Sequence, residues 1–181
     1  MGNSITEGWK NTDPGFFEGR PYIDRGISGQ TTPQMLIRFR PDVIDLKPAI
    51  VIILAGINDI AENTGPMTLE ETAGNIFSMA QLAKAANIKV IISSVLPANT
   101  FPWRPEIKPA EKVIELNILL KQYCEENRIT YLDYYSHMVD DKKGLDSRYG
   151  DDGVHPNLAG YKVMEGLVEN AIKSALEKNG K

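Results

Sequence analysis

Unbroken runs of aliphatic residues predict the strands of this protein. The clearest run covers residues 49–55 between a proline and a glycine, and a similar run covers residues 88–95. Runs of this kind are typical of parallel strands that are buried on both faces. Residues 129–133 are a shorter copy of the pattern, and residues 21–27 are a weaker candidate.

Apolar residues spaced three or four positions apart predict amphipathic helices between these strands. A further helix is predicted over residues 31–46, interrupted at Pro41, because proline cannot continue the helical hydrogen bonds. Asn157 is placed to cap the last helix. The apolar stripes are Leu69, Ala73, Ile76, Ala80 and Ala83; Val113, Leu116, Leu120 and Cys124; and Tyr161, Met164, Val168, Ala171 and Ala175.

Strands that alternate with helices predict an α/β fold with a parallel sheet between two layers of helices. The 181 residues suit one such domain, and neither a repeat nor a linker divides them, so a single domain is expected over residues 1–181. Ligands bind such sheets beyond the carboxyl ends of the strands. The loops that follow the strands are therefore where functional residues are expected.

Composition excludes several classes of function. The net charge is −4 with both signs spread along the chain, so neither a nucleic acid nor an anionic membrane is an expected partner. A single cysteine allows no intrachain disulfide, and the position of Cys124 in an apolar stripe indicates a core residue. No apolar stretch suits a membrane span, and no signal peptide opens the chain. The sequence as given therefore predicts a cytoplasmic protein, or a periplasmic or secreted one if a signal peptide precedes it.

Four short segments carry residues that could perform chemistry, and each falls in a predicted loop. They are Gly-Asn-Ser-Ile-Thr-Glu-Gly at residues 2–8, Gly-Ile-Ser-Gly-Gln-Thr at 26–31, Gly-Ile-Asn-Asp at 56–59 and Asp-Gly-Val-His-Pro at 152–156. Each segment alone is also typical of a turn or a helix cap. Their joint occurrence favours a catalytic function.

Acyl transfer requires a hydroxyl nucleophile, a base, a group that orients the base, and donors for the oxyanion. Ser4 supplies a hydroxyl, and His155 supplies an imidazole with Asp152 three residues before it. The side-chain amide of Asn58 and the backbone N–H groups of Ser4 and Gly29 are candidate oxyanion donors. His137, the second histidine, is a competing base because Asp133 precedes it by four residues.

These segments resemble the four sequence blocks of the SGNH hydrolases, also called GDSL esterases, in the order in which the family has them. The resemblance implies a flavodoxin-like fold, a catalytic triad of Ser4, Asp152 and His155, and an oxyanion hole of Ser4, Gly29 and Asn58. It implies neither a cofactor nor a metal. The first block departs from the family pattern, because an asparagine stands at position 3 where the family has an aspartate.

The family resemblance also implies a strand directly before the serine, between the strands predicted at residues 21–27 and 49–55. This sequence has only Met1 ahead of the first block, so we expect the chain to begin inside the domain, with its first strand missing. The two flanking strands should then lie about 9.6 Å apart over a gap, twice the usual spacing, or collapse together and displace Ser4. We expect the gap, because each flanking strand has its own helix to hold it.

Two other kinds of function fit parts of the pattern. In a flavodoxin-like binding module the first loop would bind a phosphate or nucleotide, although Glu7 would repel it. In a metal hydrolase the ligands would be Asp59, Asp151, Asp152 and His155, a poor set for zinc because it contains only one histidine. The serine esterase explains more of the residues than either.

The substrate is less strongly indicated than the reaction. Trp103 lies in a proline-rich segment after the strand at residues 88–95, where it could cover either the active site or the core. An aromatic side chain at the site fits a sugar ring or a short acyl group. The resemblance to the SGNH hydrolases implies removal of short acyl groups, with acetyl preferred, from a small-molecule or carbohydrate-like alcohol. A lysophospholipase-type lipid acylhydrolase is the alternative within the same family.

Overall fold

Three parallel strands form the centre of the protein in the computed structural model, which describes residues 1–177. They are β1 (Ile50–Ile53), β2 (Lys89–Ser93) and β3 (Thr130–Leu132), in the order β1-β2-β3. Val51 is in register with Val90, and Ile92 with Tyr131. The three stronger strand predictions are therefore confirmed, and each strand is shorter than the apolar run that predicted it.

Helices connect the strands as the apolar stripes predict. Where a helix was expected over residues 31–46, a helical segment ends at Phe39 and a single π-helical turn, Arg40–Ile44, follows around Pro41. In the part of the chain that the structure describes, no helix is both long and apolar enough to cross a bilayer. The α-helices are α1 (Ser4–Thr12), α2 (Thr32–Phe39), α3 (Ile57–Ile60), α4 (Leu69–Ala85), α5 (Ala110–Asn127), α6 (Tyr135–Met138) and α7 (Leu158–Glu177).

The helices cover both faces of the sheet. α4 packs on β2 and α5 on β3, and these two helices contact each other. α7 packs on β2 and β3 from the opposite face and holds α1 through Tyr161, whose hydroxyl donates to the Ile5 carbonyl at 2.8 Å. Asn157 caps α7, since its Oδ1 accepts a hydrogen bond from the Gly160 N–H at 3.1 Å. This arrangement is the predicted α/β fold.

The prediction of a strand at residues 21–27 is wrong. Only Gly26 pairs in a parallel bridge, and its partner is Gly2. The Gly2 N–H donates to the Arg25 carbonyl at 3.3 Å, and the Ile27 N–H donates to the Gly2 carbonyl at 3.2 Å. The physical reason is that a strand forms through a run of successive backbone pairs, and this segment has one such pair.

Met1 and Gly2 also pair with the end of β1. The Met1 amino group donates to the Ile52 carbonyl at 2.9 Å, and the Leu54 N–H donates to the Met1 carbonyl at 3.1 Å. Gly2 therefore forms a bridge to Leu54 on one side and to Gly26 on the other. The backbone directly before Ser4 lies between the two segments that the sequence indicated.

Below Met1 these two segments enclose an apolar cavity of about 480 Å³. Its lining includes Tyr22 and Ile23 on one side and Ile50 and Ile52 on the other, with Trp9 nearby. Ile50 and Ile52 are only half-buried, although the sequence predicted a strand buried on both faces. An apolar cavity therefore lies along β1, on the edge opposite β2.

The cavity predicts that an added strand would stabilise the chain. The Lys89 N–H donates to the Ala49 carbonyl, so the main-chain groups of Ala49 face β2. Successive residues of a strand direct these groups to opposite edges, so those of Ile50 face the other edge of β1, along the cavity. An extension of about six to eight β-branched residues before Met1, a usual strand length, should pair there and bury its side chains. We expect the free energy of unfolding to rise by more than about 2 kcal/mol, the contribution of one buried aliphatic side chain.

Urea and thermal unfolding of the extended and original chains would measure this effect. The control is an extension of equal length made of glycine and serine, which offers backbone groups but no apolar surface. Equal stability of all three chains would show that the cavity does not accept a strand.

Candidate active site

Ser4 is the first residue of α1, and it is not the residue that caps this helix. Asn3 is the N-cap, because its Oδ1 accepts a hydrogen bond from the Ile5 N–H at 3.0 Å. The Ser4 hydroxyl is therefore not used to cap the helix, and the residue is half-buried. The asparagine that departs from the family pattern thus performs a local structural role.

Two glycines allow α1 to lie directly against the backbone of its neighbours. A Cβ atom on Gly26 would lie 2.1 Å from the Glu7 nitrogen, and one on Gly2 would lie 2.0 Å from Thr6 Oγ1. Neither position can carry a side chain without moving the helix. These contacts fix the start of α1 at the carboxyl end of the sheet, which is where the parallel fold places its ligands.

Ser4, His155 and Asp152 form a continuous chain of hydrogen bonds. The distance from Ser4 Oγ to His155 Nε2 is 2.9 Å, and the distance from His155 Nδ1 to Asp152 Oδ2 is 2.7 Å. The carboxylate accepts a hydrogen bond from the Nδ1–H group, which keeps the proton on Nδ1, so Nε2 is left to accept a hydrogen bond from the serine hydroxyl. The structure brings these side chains together although Ser4 and His155 are 151 positions apart.

The second carboxylate oxygen of Asp152 organises its own turn. Oδ1 accepts hydrogen bonds from the backbone N–H groups of Val154 at 2.9 Å and His155 at 2.7 Å. Partial burial acts to raise the pKa of Asp152, but the hydrogen bonds from His155 and Val154 outweigh it and hold that pKa below its usual value. Asp152 is therefore ionised at neutral pH and can stabilise a protonated imidazole.

Gly29 lies in an exposed loop that is attached to α1. Its φ of +75° is in the left-handed region that glycine adopts without strain, and a Cβ there would meet nothing within 4 Å. The neighbouring Ser28 donates its N–H to the Glu7 carboxylate at 3.0 Å, and its hydroxyl donates to the same oxygen. Because Glu7 and Ser4 are on the same helix, this contact ties the Gly29 loop to the helix that carries Ser4.

Asn58 is buried at the start of α3 and reaches the same loop. Its Nδ2 donates to the Gln30 carbonyl at 3.0 Å, which uses one of the two amide protons. Asp59 beside it accepts hydrogen bonds from Thr32, from the N–H at 2.9 Å and from the hydroxyl at 2.6 Å. Burial raises the pKa of Asp59, although the bonds from Thr32 oppose that shift. α3 is thus joined to the loop that contains Gly29.

The alternative base, His137, and the alternative metal ligand, Asp151, form hydrogen bonds outside the chain of Ser4, His155 and Asp152. His137 is exposed, and its Nδ1 lies 3.0 Å from the Asp133 carbonyl oxygen, within its own turn. Asp151 lies 3.4 Å from the Asn157 side-chain amide. Within residues 1–177, no three histidine, cysteine or acidic side chains are grouped so that they could hold a metal ion.

Trp103 lies at the edge of the site, next to the histidine. Its ring stacks on Phe101 at 5.2 Å between centroids, and it lies 6.2 Å from the His155 ring. Trp103 is 42% exposed, and Phe101 beneath it is a buried core residue, so the ring both covers part of the core and borders the site. The following residue, Arg104, forms an ion pair of 3.5 Å with Glu62, in the segment just after α3.

Sequence reasoning missed the contacts that hold the loops in place. Glu7 appeared only as a charge that would repel phosphate, whereas its carboxylate binds Ser28 on the neighbouring loop. The hydrogen bonds between Asp59 and Thr32, and between Arg38 and two main-chain carbonyls, likewise have no signal in the sequence. No local pattern signals these contacts, because the partners are far apart in sequence.

A family model and several solved structures match this chain. Residues 1–163 match the model of the GDSL-like Lipase/Acylhydrolase family. The crystal structure of a GDSL-like lipase from Bacteroides thetaiotaomicron VPI-5482 shares 55% sequence identity, covering 97% of this chain and 86% of that one, with a TM-score of 0.94. The acetylxylan esterase Axe2 from Geobacillus stearothermophilus shares the fold at 21% identity, covering 94% of this chain and 91% of its own, with a TM-score of 0.75.

A curated relative matches a shorter stretch. Esterase TesA from Pseudomonas aeruginosa is 36% identical over 88 residues, which are 47% of this chain and 42% of that protein. This chain therefore matches less than half the length of that relative. Since the family model extends from the segment around Ser4 to beyond His155, the chain belongs to the GDSL-like lipase/acylhydrolase family.

Proposed function

We propose that this protein is a serine esterase that removes short acyl groups, with acetyl preferred, from a small-molecule or carbohydrate-like alcohol. The observation that carries the proposal is the hydrogen-bond chain from Ser4 Oγ through His155 to Asp152. This order of hydroxyl, imidazole and carboxylate is the arrangement that activates a serine for acyl transfer. Membership of an acylhydrolase family supports it.

The reaction proceeds in two halves. As Ser4 Oγ attacks the ester carbonyl, His155 Nε2 accepts its proton, and the tetrahedral intermediate then collapses while His155 returns the proton to the departing alcohol. In the second half water attacks the acyl-serine and loses its proton to His155. The second tetrahedral intermediate then collapses while His155 returns that proton to Ser4 Oγ, and the free acid leaves. Asp152 keeps Nδ1 protonated and stabilises the positive imidazolium in both halves.

The oxyanion of each intermediate needs donors near Ser4. The backbone N–H of Ser4 opens α1, where N–H groups have no intrahelical partner and the helix dipole is positive. The backbone N–H of Gly29 and the second amide proton of Asn58 complete the proposed hole. The contacts of Glu7 with Ser28 and of Asn58 with the Gln30 carbonyl support this assignment, because they hold the loop against α1 and α3.

The substrate proposal depends on Trp103. An exposed aromatic ring beside the base offers a flat apolar surface on which a sugar ring or a small alcohol can stack. The fold is shared with an acetylxylan esterase, which supports a carbohydrate ester as the substrate class.

Covalent labelling tests the nucleophile. A fluorophosphonate should modify Ser4 of the native chain, and Ser4→Ala should lose both labelling and hydrolysis of p-nitrophenyl acetate while its melting temperature holds. Peptide mapping by mass spectrometry identifies the labelled residue. Ser28, the nearby serine bound to Glu7, provides the control, because Ser28→Ala should still be labelled. A label on any serine other than Ser4 contradicts the proposal.

A pair of histidine variants tests the base. His155→Ala should lower kcat by at least about a thousandfold, since it removes the group that accepts the Ser4 proton. His137→Ala should leave kcat unchanged, because that ring is occupied within its own turn. Steady-state kinetics on p-nitrophenyl acetate measures both. The assignment is wrong if the two variants behave alike or if their effects are reversed.

A panel of esters tests the substrate class. We expect kcat/KM to fall as the acyl chain lengthens from acetyl to octanoyl, and acetylated xylo-oligosaccharides to be turned over faster than a long-chain lysophospholipid. Trp103→Ala should raise KM for the acetylated sugar roughly 2- to 10-fold, the loss of one aromatic contact, and Trp103→Phe should largely restore it. Preference for the lysophospholipid would instead indicate a lipid acylhydrolase.

A further inference from the structure

Arg38, in the last turn of α2, donates hydrogen bonds to four residues and is largely buried. Its side chain is 12% exposed. Nε donates to Gln30 Oε1 at 2.5 Å, and Nη1 donates to Asp42 Oδ2 at 2.6 Å. Nη2 donates to two main-chain carbonyls, those of Gly2 and Arg25, both at 3.0 Å. One guanidinium thus joins two separate segments, the N-terminal backbone at Gly2 and the loop of residues 25–30, to α2.

The first of these segments precedes the nucleophile. Gly2 lies two residues before Ser4, and its carbonyl accepts hydrogen bonds from both Arg38 and the Ile27 N–H. The Arg25 carbonyl likewise accepts from both Arg38 and the Gly2 N–H. Arg38 therefore reinforces the short backbone pairing that sets the position of α1.

The second segment carries the proposed oxyanion donors. Gln30 follows Gly29 directly, and its side chain binds Arg38 while its carbonyl binds the Asn58 amide. The loop around Gly29 is exposed and is not part of a strand, so its position depends on such polar contacts. Any shift of Gln30 would move the Gly29 N–H and the Asn58 amide together.

We propose that Arg38 is a positioning residue that sets the distance between Ser4 and the oxyanion donors Gly29 and Asn58. The guanidinium is suited to this role because its N–H groups point in fixed directions within one plane. A lysine at this position keeps the charge but cannot reach Gln30 and both carbonyls at once. This inference rests on the proposed function, because it assigns Arg38 a part in stabilising the oxyanion.

Kinetics of Arg38→Lys test the role directly. Displaced donors weaken binding of the transition state more than binding of the ester, so we expect kcat on p-nitrophenyl acetate to fall about 10- to 100-fold while KM changes little. The matched control is Arg20→Lys, which alters a surface ion pair with Glu169 and should leave both constants unchanged. A lower melting temperature with unchanged kcat in Arg38→Lys would overturn the proposal.

Gln30→Ala supplies a second test that does not depend on the folding of the Arg38 variant. It removes the side chain that binds Arg38 and keeps the carbonyl that binds Asn58. We expect a fall in kcat in Gln30→Ala, and a double variant with Arg38→Lys that is little worse than the more severe single variant, because both disturb one loop. Normal kcat in Gln30→Ala would overturn the proposal even if Arg38→Lys does not fold.

The activity of the native chain distinguishes a failure of the proposed esterase function from a failure of the proposed role of Arg38. Failure of the native chain to hydrolyse any ester or to react with the fluorophosphonate at Ser4 would overturn the proposed function, and the role of Arg38 with it. Full kcat in both Arg38→Lys and Gln30→Ala, measured against an active native chain, would overturn only the role of Arg38.

Discussion

The hydrogen bonds of Met1 and Gly2 to the segments on either side place Ser4 in this fold. The backbone of these two residues pairs with the end of β1 on one side and with residues 25–27 on the other. α1 begins two residues later, so the serine has little freedom to move away from the carboxyl edge of the sheet. Gly2 and Gly26 are required because the helix lies too close to admit a Cβ atom at either position.

α7 positions the loop that carries His155 relative to α1, the helix that carries Ser4. Its cap, Asn157, follows His155 by two residues, and its first turns contain Tyr161, whose hydroxyl binds the Ile5 carbonyl. Trp9 of α1 stacks on the Tyr161 ring at 5.4 Å between centroids. The loop with the histidine and the helix with the serine are therefore packed against the same element. This shared support explains how the Ser4–His155 contact forms between residues so distant in sequence.

The remaining parts of the site are held by polar contacts in a largely buried setting. Thr32, Asn58 and Asp59 are all buried, and each uses its polar side chain to tie one loop or helix start to another. Burying polar groups costs free energy unless they are paired, so these contacts favour one loop conformation strongly over others. The raised pKa of Asp59 reflects this cost. These buried contacts therefore hold in place the loop that contains the exposed Gly29 backbone.

The sequence by itself determined the strands β1 to β3, the amphipathic helices and the pairing of Asp152 with His155, because each depends on residues close together in the chain. It also indicated the loops in which Ser4, Asp152 and His155 lie. Only the tertiary structure decided that residues 21–27 form one bridge rather than a strand, and that Glu7 binds Ser28. The physical reason is that backbone pairing and side-chain hydrogen bonds between distant segments depend on the order and length of neighbouring strands, which local periodicity does not encode.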